Sequence, residues 1–212
     1  MKVLVAGANG HTGRLLVQNL DAAGHEAYAM VRKEEQKEDM EGLGGIPVLA
    51  DLESDLGHAV KGMDAVIFAA GSGSSTPPEK TKDVDRDGAI NLIKETEKLG
   101  RAPKFIMLSA MKADNPEEGP DKLKYYLEMK GEADEYLRNS ELDYTIVRPG
   151  ALTHEEGTSK IKVGKSVDRG SISRSDVAKT MIAALEEPNA YRKTFEMVEG
   201  DTQIEDALKS LE

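Results

Sequence analysis

A glycine-rich turn between an apolar strand and an amphipathic helix is the feature that most constrains this chain. Residues 2–6 read KVLVA, residues 7–13 read GANGHTG, and leucines at helical spacing follow. Glycines here allow a tight turn and a close approach of the backbone to a bound group, and the helix N-terminus offers free N–H groups and a partial positive charge. The pattern predicts a pyrophosphate-binding turn that opens a βαβ unit.

Short apolar runs alternate with helical patterns along the whole chain. The runs expected to be strands are residues 2–6, 26–31, 46–50, 65–70, 104–108, 144–147 and 194–198. They are mainly apolar rather than alternating, which is typical of strands covered by helices on both faces. Apolar residues at helical spacing predict helices at 12–23, 84–99, 122–139, 176–187 and 204–211, with Ser175 as the N-cap of the fourth. The alternation predicts a parallel sheet built from βαβ units.

Three stretches without a clear helix interrupt this alternation. They are residues 71–82, 111–120 and 150–173, and each follows the carboxyl end of a predicted strand. In an open parallel sheet, ligands bind at that edge. We therefore expect these loops to build a small substrate cap.

The composition excludes several classes of partner and site. Lys and Arg number 28 against 39 Asp and Glu, a net charge of −11, whereas nucleic acids and anionic membranes are bound by basic surfaces. The sequence has no cysteine, and its four histidines have no ligand-like spacing, so no metal is expected. No apolar run approaches the ~20 residues that span a bilayer. We expect a soluble, cytoplasmic protein with a small-molecule ligand.

Several segments in a fixed order resemble the short-chain dehydrogenase/reductase superfamily, in its atypical and extended branches. The matching segments are GANGHTGR at 7–14, VR at 31–32, ADL at 50–52, FAAG at 68–71, DGAINLI at 87–93, FIMLS at 105–109 and LDYTIVRPGALT at 142–153. These branches include NAD-dependent epimerase/dehydratase-like, NmrA-like and biliverdin reductase B-like proteins. The resemblance implies an α/β, Rossmann-type, doubly wound parallel sheet of order 3-2-1-4-5-6 plus a seventh strand. It covers essentially the whole chain and implies a single NAD(P)-binding domain over residues 1–212.

The resemblance also implies where a nicotinamide cofactor binds. The backbones of His11 and Thr12 would meet the pyrophosphate, Asp51 and Leu52 would contact the adenine, and small residues after the fourth strand would admit the ribose. The segment after the sixth strand would hold the nicotinamide carboxamide. The residues expected to contact the cofactor are Gly7, Asn9, Gly10, His11, Thr12, Gly13, Arg32, Asp51, Leu52, Ala69, Ala70, Gly71, Ser109, Lys130, Pro149, Gly150, Ala151 and Leu152.

The end of the second predicted strand bears on the choice between NADP and NAD. NAD enzymes of this architecture place a carboxylate ~20 residues after the glycine turn, where it accepts hydrogen bonds from the ribose 2′-OH. Here the strand ends in Arg32 and Lys33, with no acidic residue before Glu34. Because a guanidinium can bind phosphate oxygens in a bidentate manner, we expect NADP(H) to be preferred over NAD(H). A solvated charge at the strand end is the alternative interpretation.

Tyr126 and Lys130 form a Y-x-x-x-K pair on a predicted helix. Residues four apart share one face of a helix, so the ammonium can lie near the phenol. In the enzymes that this chain resembles, the lysine lowers the tyrosine pKa for proton transfer and binds the nicotinamide ribose, and a serine after the fifth strand orients the substrate oxygen. The resemblance thus implies Ser109, Tyr126 and Lys130 as catalytic residues. A surface tyrosine packed beside a lysine stem is the alternative interpretation.

These residues favour an NADPH-dependent oxidoreductase that reduces a small or flat carbonyl, quinone or flavin-type substrate, with Tyr126 as proton donor. Two alternatives stay open: a non-catalytic NADP-sensing or assembly protein of the NmrA-like type, and a true NAD(P)-dependent epimerase or dehydratase. Extended-branch sugar epimerases carry a much larger C-terminal region, so a nucleotide-sugar pocket would be cramped here. The sequence is compatible with a monomer or a homodimer, and it does not identify the substrate.

Overall fold

In the computed structural model, which describes residues 1–73, 77–100 and 103–211, the chain forms a nine-stranded sheet with helices on both faces. The strands are β1 (Lys2–Ala6), β2 (Glu26–Val31), β3 (Ile46–Leu49), β4 (Ala65–Phe68), β5 (Lys104–Leu108), β6 (Asp143–Pro149), β7 (Ala151–Thr153), β8 (Lys160–Gly164), β9 (Ser171–Ser173), β10 (Lys193–Glu199) and β11 (Thr202–Gln203). The helices are α1 (His11–Ala22), α2 (Lys37–Glu41), α3 (Gly57–Val60), α4 (Pro78–Thr81), α5 (Ala89–Glu97), α6 (Lys124–Arg138), α7 (Arg174–Ala183) and α8 (Ile204–Lys209). None of the helices described is long and apolar enough to cross a membrane.

The sheet has the order β3-β2-β1-β4-β5-β6-β10-β8-β11. Neighbouring strands from β3 through β10 in this order pair in parallel, whereas β8 pairs antiparallel with both β10 and β11. This confirms the Rossmann-type α/β fold, the order 3-2-1-4-5-6 and a seventh parallel strand, which is β10. The order reverses between β1 and β4, and ligands bind at such a point, outside the carboxyl ends of the strands.

The central strand β1 shows why most positions of the parallel strands are apolar. Val3 and Val5 belong to the core that packs against α1 and α7, whereas Leu4 and Ala6 belong to the core against α5 and α6. All four side chains are fully buried. Because successive side chains point to opposite faces of a strand, a strand covered on both sides favours apolar residues at successive positions.

The segment 150–173, which was expected to be a loop, contains three strands. β7 and β9 pair in parallel as a separate two-stranded sheet, and β8 extends the main sheet beyond β10. Along β8, Ile161 is buried while Lys160 and Lys162 are exposed. This alternation is typical of an antiparallel strand with one face exposed. The expectation of a cap built from loops alone is therefore wrong for this segment.

The segment expected to be one helix over 84–99 is π-helical in its first part and α-helical in its second part. A π-helical turn at Lys82–Gly88 precedes α5, and α4 lies just before it. Residues 74–76 of the predicted 71–82 loop lie outside the described residues. A π-helical turn is rare and is found frequently at functional sites. Here its inner side carries Asp85, which is 1% exposed.

The N-cap of α7 differs from the expected residue by two positions. Ser173, not Ser175, precedes the helix in an extended conformation, and its hydroxyl accepts a hydrogen bond from the backbone N–H of Asp176 at 3.0 Å. The end of β9 fixes this extended backbone at Ser173. The pairing of β9 with β7 therefore decides where α7 begins.

Replacing Ser173 by alanine should lower the free energy of unfolding by about 1 kcal/mol, because the cap hydrogen bond to the Asp176 N–H is lost. Ser175→Ala is the matched control, since the Ser175 hydroxyl makes no hydrogen bond to the described residues. It should change the free energy by less than about 0.5 kcal/mol. Urea unfolding measures both values, and equal losses would contradict the assignment of the cap.

Candidate functional site

Two glycines of the turn between β1 and α1 are required by packing. Gly7 has a φ of +83°, and a Cβ at Gly7 would lie 2.5 Å from the backbone nitrogen of Ala70. A Cβ at Gly13 would lie 2.0 Å from the carbonyl oxygen of Gly7. Side chains at either position would push the backbone apart. The glycines therefore let the turn, the start of α1 and the end of β4 meet at the switch point of the sheet.

The N-terminus of α1 has no side-chain cap. Gly10 is the N-cap residue and supplies no side-chain hydrogen bond. Helix N-termini leave N–H groups without intrahelical partners, and these groups and the helix dipole favour an anion such as a phosphate. The first turn of α1 therefore fits the pyrophosphate of a dinucleotide.

A cavity of about 500 Å³ adjoins this turn. Its lining residues are Gly7, Asn9, Gly10, Met30, Val31, Arg32, Gln36, Asp51, Leu52, Ala69, Ala70, Gly71, Ser72, Lys80 and Val84. Half of the residues expected to contact a cofactor thus surround one cavity. His11, Thr12 and Gly13 do not line it. Thr12 and Gly13 are buried, and the exposed His11 packs edge-on against His154 with ring centroids 4.8 Å apart.

The outer end of this cavity carries a guanidinium without a partner. Gln36 Oε1 accepts hydrogen bonds from the backbone N–H groups of Arg32 and Lys33, both at 3.1 Å, and so fixes the end of β2. The Arg32 guanidinium makes no ion pair or hydrogen bond with the described residues and lines the cavity. By contrast, Arg14 Nη1 is bound to Asn9 Oδ1 at 2.8 Å and to Asp39 Oδ2 at 3.1 Å. Arg32 is therefore the cation that remains available to a phosphate there.

A second cavity, of about 360 Å³, lies at the carboxyl ends of β5 and β6. The sequence-predicted residues in its lining are Ser109, Tyr126, Pro149, Gly150, Ala151 and Leu152. Most of the other lining side chains are apolar, among them Met111, Leu123 and Leu127. The expected catalytic tyrosine and serine and the expected nicotinamide-binding segment thus meet at one cavity. Lys130 lies outside the lining and is 2% exposed.

Lys130 has a buried carboxylate beside it. Its Nζ lies 3.9 Å from Asp85 Oδ1 and 5.4 Å from the centre of the Phe68 ring. Asp85 Oδ2 accepts a hydrogen bond from the backbone N–H of Ser72 at 3.0 Å. Asp85 therefore connects Lys130 to the loop after β4, which lines the first cavity. The sequence reasoning missed Asp85, since only the register of the π-helical turn directs it inward.

A second buried carboxylate, Asp134, lies behind the wall of the cavity. Its Oδ2 accepts hydrogen bonds from Ser109 Oγ at 2.7 Å and from Arg148 Nε at 3.0 Å. Arg148 Nη1 also pairs with Asp114 Oδ2 at 2.8 Å. Burial raises the pKa of Asp134, and the nearby Arg148 and the hydrogen bond from Ser109 oppose this shift. The sequence reasoning missed Asp134 too, although its spacing of four from Lys130 places both on one face of α6.

The electrostatics of Tyr126 differ from the sequence-based expectation. Burial, followed by the charges of Asp85 and Asp134, raises the pKa of Tyr126 above its ordinary value. The expected lowering by Lys130 is offset because Asp85 lies beside the ammonium. Tyr126 is consequently a neutral phenol at physiological pH, which suits a proton donor and not a base.

No group of three or more His, Asp or Glu side chains that could hold a metal ion occurs among the residues that the structure describes. The buried acids each have other partners: Asp85 faces Lys130, and Asp134 is bound by Ser109 and Arg148. The expectation that the site uses no metal stays a prediction.

The parallel sheet, the glycine turn and the adjoining cavity define a nicotinamide dinucleotide-binding fold. The family described as NAD(P)H-binding matches residues 7–188, and the chain belongs to this family. Family membership supports a nicotinamide cofactor and leaves the choice between NADP and NAD to the residues of this chain.

Three relatives of this chain have names that match the superfamily branches predicted from the sequence. A Bacillus subtilis protein named as an uncharacterized sugar epimerase is 48% identical over the full length of both chains. A solved structure named as a candidate NAD-dependent epimerase/dehydratase, from Bacillus halodurans, is 44% identical over the full length of both chains, with a TM-score of 0.95. A solved oxidoreductase of Lactococcus lactis is 33% identical over 100% of this chain and 96% of its own, with a TM-score of 0.90. These likenesses confirm the atypical short-chain dehydrogenase/reductase resemblance, but the names divide between two reaction classes.

Gly13→Ala should destabilise the protein by about 2–3 kcal/mol, since the new Cβ would force the turn away from α1. Gly42→Ala is the matched control because Gly42 has a helical φ of −61°, and the nearest atom to a Cβ there is 3.4 Å away. That change should be neutral or slightly stabilising. Chemical denaturation compares the two, and a Gly13→Ala variant as stable as Gly42→Ala would show that the packing at the turn tolerates a side chain.

Proposed function

We propose that the protein is an NADP(H)-dependent oxidoreductase that reduces a small or flat carbonyl, quinone or flavin-type substrate. The observation that supports this most is the position of Tyr126, a tyrosine with a raised pKa, on the wall of an apolar cavity at the carboxyl ends of β5 and β6. We further propose that residues 1–212 act as one unit, as a monomer or homodimer in the cytoplasm.

The residues of the two cavities suggest how the cofactor would be held. The first turn of α1 would bind the pyrophosphate, Asp51 and Leu52 the adenine, and Arg32 the 2′-phosphate. Lys130 would bind the nicotinamide ribose, and the segment Pro149, Gly150, Ala151 and Leu152 the carboxamide. The bound nicotinamide supplies a hydride. A Cβ on Gly71 would lie 3.3 Å from Asp85 Oδ1, so the small residues after β4 leave room beside the pair of Asp85 and Lys130.

Tyr126 would then donate a proton to the substrate oxygen as negative charge develops on it. A positioned general acid of this kind typically contributes a rate factor of ~10²–10⁴. In the arrangement observed, the hydroxyl proton of Ser109 is directed to Asp134. Ser109 Oγ can therefore offer only lone pairs to the cavity, and we do not assign it the protonation of the substrate.

A true epimerase or dehydratase is the second candidate, because two of the relatives carry that name. Such an enzyme returns the hydride to its substrate and retains its cofactor through purification. Its catalytic tyrosine would also act as a base, which the raised pKa of Tyr126 disfavours at neutral pH. Nicotinamide absorbance in the purified protein would favour this candidate, and cofactor binding without turnover of any acceptor would favour a sensor.

NADPH should bind more tightly than NADH, and Arg32→Ala should remove most of the difference, since the free guanidinium then no longer meets the 2′-phosphate. Lys33→Ala is the matched control because Lys33 is also exposed and does not line the cavity. Nicotinamide fluorescence during titration of each cofactor-free protein with NADPH and with NADH measures the six affinities. Equal affinities of the unsubstituted protein for both cofactors would contradict an NADP preference.

With NADPH and a quinone acceptor, Tyr126→Phe should lower kcat by at least about 10²-fold. The unsubstituted enzyme should keep its rate up to about pH 10, because the acid form of Tyr126 persists when its pKa is raised. Asp85→Asn removes a charge that raises this pKa, so the alkaline loss of activity should move to lower pH. Asp87→Asn is the control, since Asp87 is exposed and paired with Arg86. An unchanged kcat in Tyr126→Phe would rule out the proton-donor role.

A further inference from the structure

We propose that Arg169, assisted by Lys112, binds an anionic group of the substrate, so that the acceptor is an apolar molecule carrying a carboxylate, sulfonate or phosphate. This inference rests on the proposed function for the reacting end of the substrate. It adds a second recognition point where the same cavity adjoins a neighbouring open cavity.

The position of the two cations carries the inference. Met111, Leu123, Leu127 and Leu152 give the Tyr126 cavity an apolar lining. A third cavity, which is open and measures about 560 Å³, adjoins the Tyr126 cavity. Its polar lining includes Lys162, Ser166 and Asp168. The two cavities share Lys112 and Arg169. A molecule that fills the apolar cavity would therefore present its outer end to these two side chains.

Arg169 has unused donors at this boundary. Its Nη2 donates a hydrogen bond to the carbonyl oxygen of Glu118, and no carboxylate lies within ion-pair distance among the described residues. A guanidinium binds carboxylate or phosphate oxygens through paired N–H groups. In a chain with a net charge of −11, an exposed arginine without an acidic partner at the mouth of an apolar cavity fits an anion from outside the protein.

Lys112 is held in place by an unusual backbone conformation. Its φ is +68°, in the left-handed region that glycine or asparagine adopts more readily than lysine. The buried Glu196 fixes this conformation, since Oε1 accepts from the Lys112 N–H at 3.2 Å and Oε2 accepts from the Val167 N–H at 3.0 Å. The Glu196 carboxylate thus connects β10 to both loops, the one that carries Lys112 and the one that carries Arg169.

The Glu118 carboxylate pairs with Lys112 where an anion of the substrate would bind. Its Oε2 lies 3.0 Å from Lys112 Nζ, and its side chain is 57% exposed. Lys162 likewise pairs with the exposed Asp168 at 3.5 Å. An exposed ion pair of this kind contributes little stability, so an incoming carboxylate can replace Glu118 at Lys112 and also pair with the unused donors of Arg169.

Two fluorescent probes that differ only in charge test the inference without any turnover. 1-Anilinonaphthalene-8-sulfonate and N-phenyl-1-naphthylamine share the same aromatic rings, and only the first carries a sulfonate. Each is titrated into the full chain, with and without saturating NADP⁺ to fill the dinucleotide cavity. The sulfonate probe should bind about fivefold or more tightly than the neutral probe, in line with a partly screened charge pair.

The variants assign this preference to the two cations. Arg169→Gln should remove most of the preference and Lys112→Gln part of it, whereas Glu118→Gln should increase the affinity for the sulfonate probe by freeing Lys112. Lys165→Gln is the control, because Lys165 is exposed on the same segment and lines neither cavity. Equal affinities for the two probes, or a preference that survives Arg169→Gln with Lys112→Gln, would overturn the inference. A failure of NADPH binding or hydride transfer would instead reject the proposed function and leave the probe comparison intact.

Discussion

The buried ion pair between Lys130 and Asp85 is the interaction on which the rest of the site depends. Two charges with exposures of 2% and 1% are costly to remove from water, and each is tolerated because the other lies beside it. Asp85 also receives the Ser72 N–H. One carboxylate therefore connects the loop after β4 to Lys130 and, in addition to burial, contributes to the raised pKa of Tyr126.

A second group, made by the buried Ser109, Asp134 and Arg148 together with the exposed Asp114, supports the other side of the substrate cavity. Asp134 joins the end of β5 to the end of β6 through its hydrogen bonds with Ser109 and Arg148. These strand ends carry the lining of the cavity. These hydrogen bonds hold the two strand ends together, while Asp134 Oδ1 and Arg148 Nη2 are buried without a hydrogen-bond partner among the described residues. The cavity is therefore shaped by fixed charges behind its wall, while its surface stays mainly apolar.

Strands that are buried on both faces could be predicted from the sequence, whereas a strand exposed on one face could not. The parallel strands could be predicted because helices on both faces favour apolar residues at successive positions, as in β1. β8 was not predicted because it is half exposed. Its exposed lysines flank the buried Ile161, so the segment has no apolar run. The glycine turn and the Tyr126 helix could be located from local patterns. Asp85 and Arg169 could not, since their roles depend on contacts between segments distant in the chain.

The π-helical turn before α5 has a consequence for how such a site can change. Each residue of an α-helix is rotated by about 100° from the one before it, and a π-helical turn holds one residue more than an α-helical turn. Deleting one residue within Lys82–Gly88 would convert it to regular helix and turn Asp85 away from Lys130. In a chain of this architecture, a one-residue deletion could thus change which side chain faces the lysine, without any amino-acid substitution.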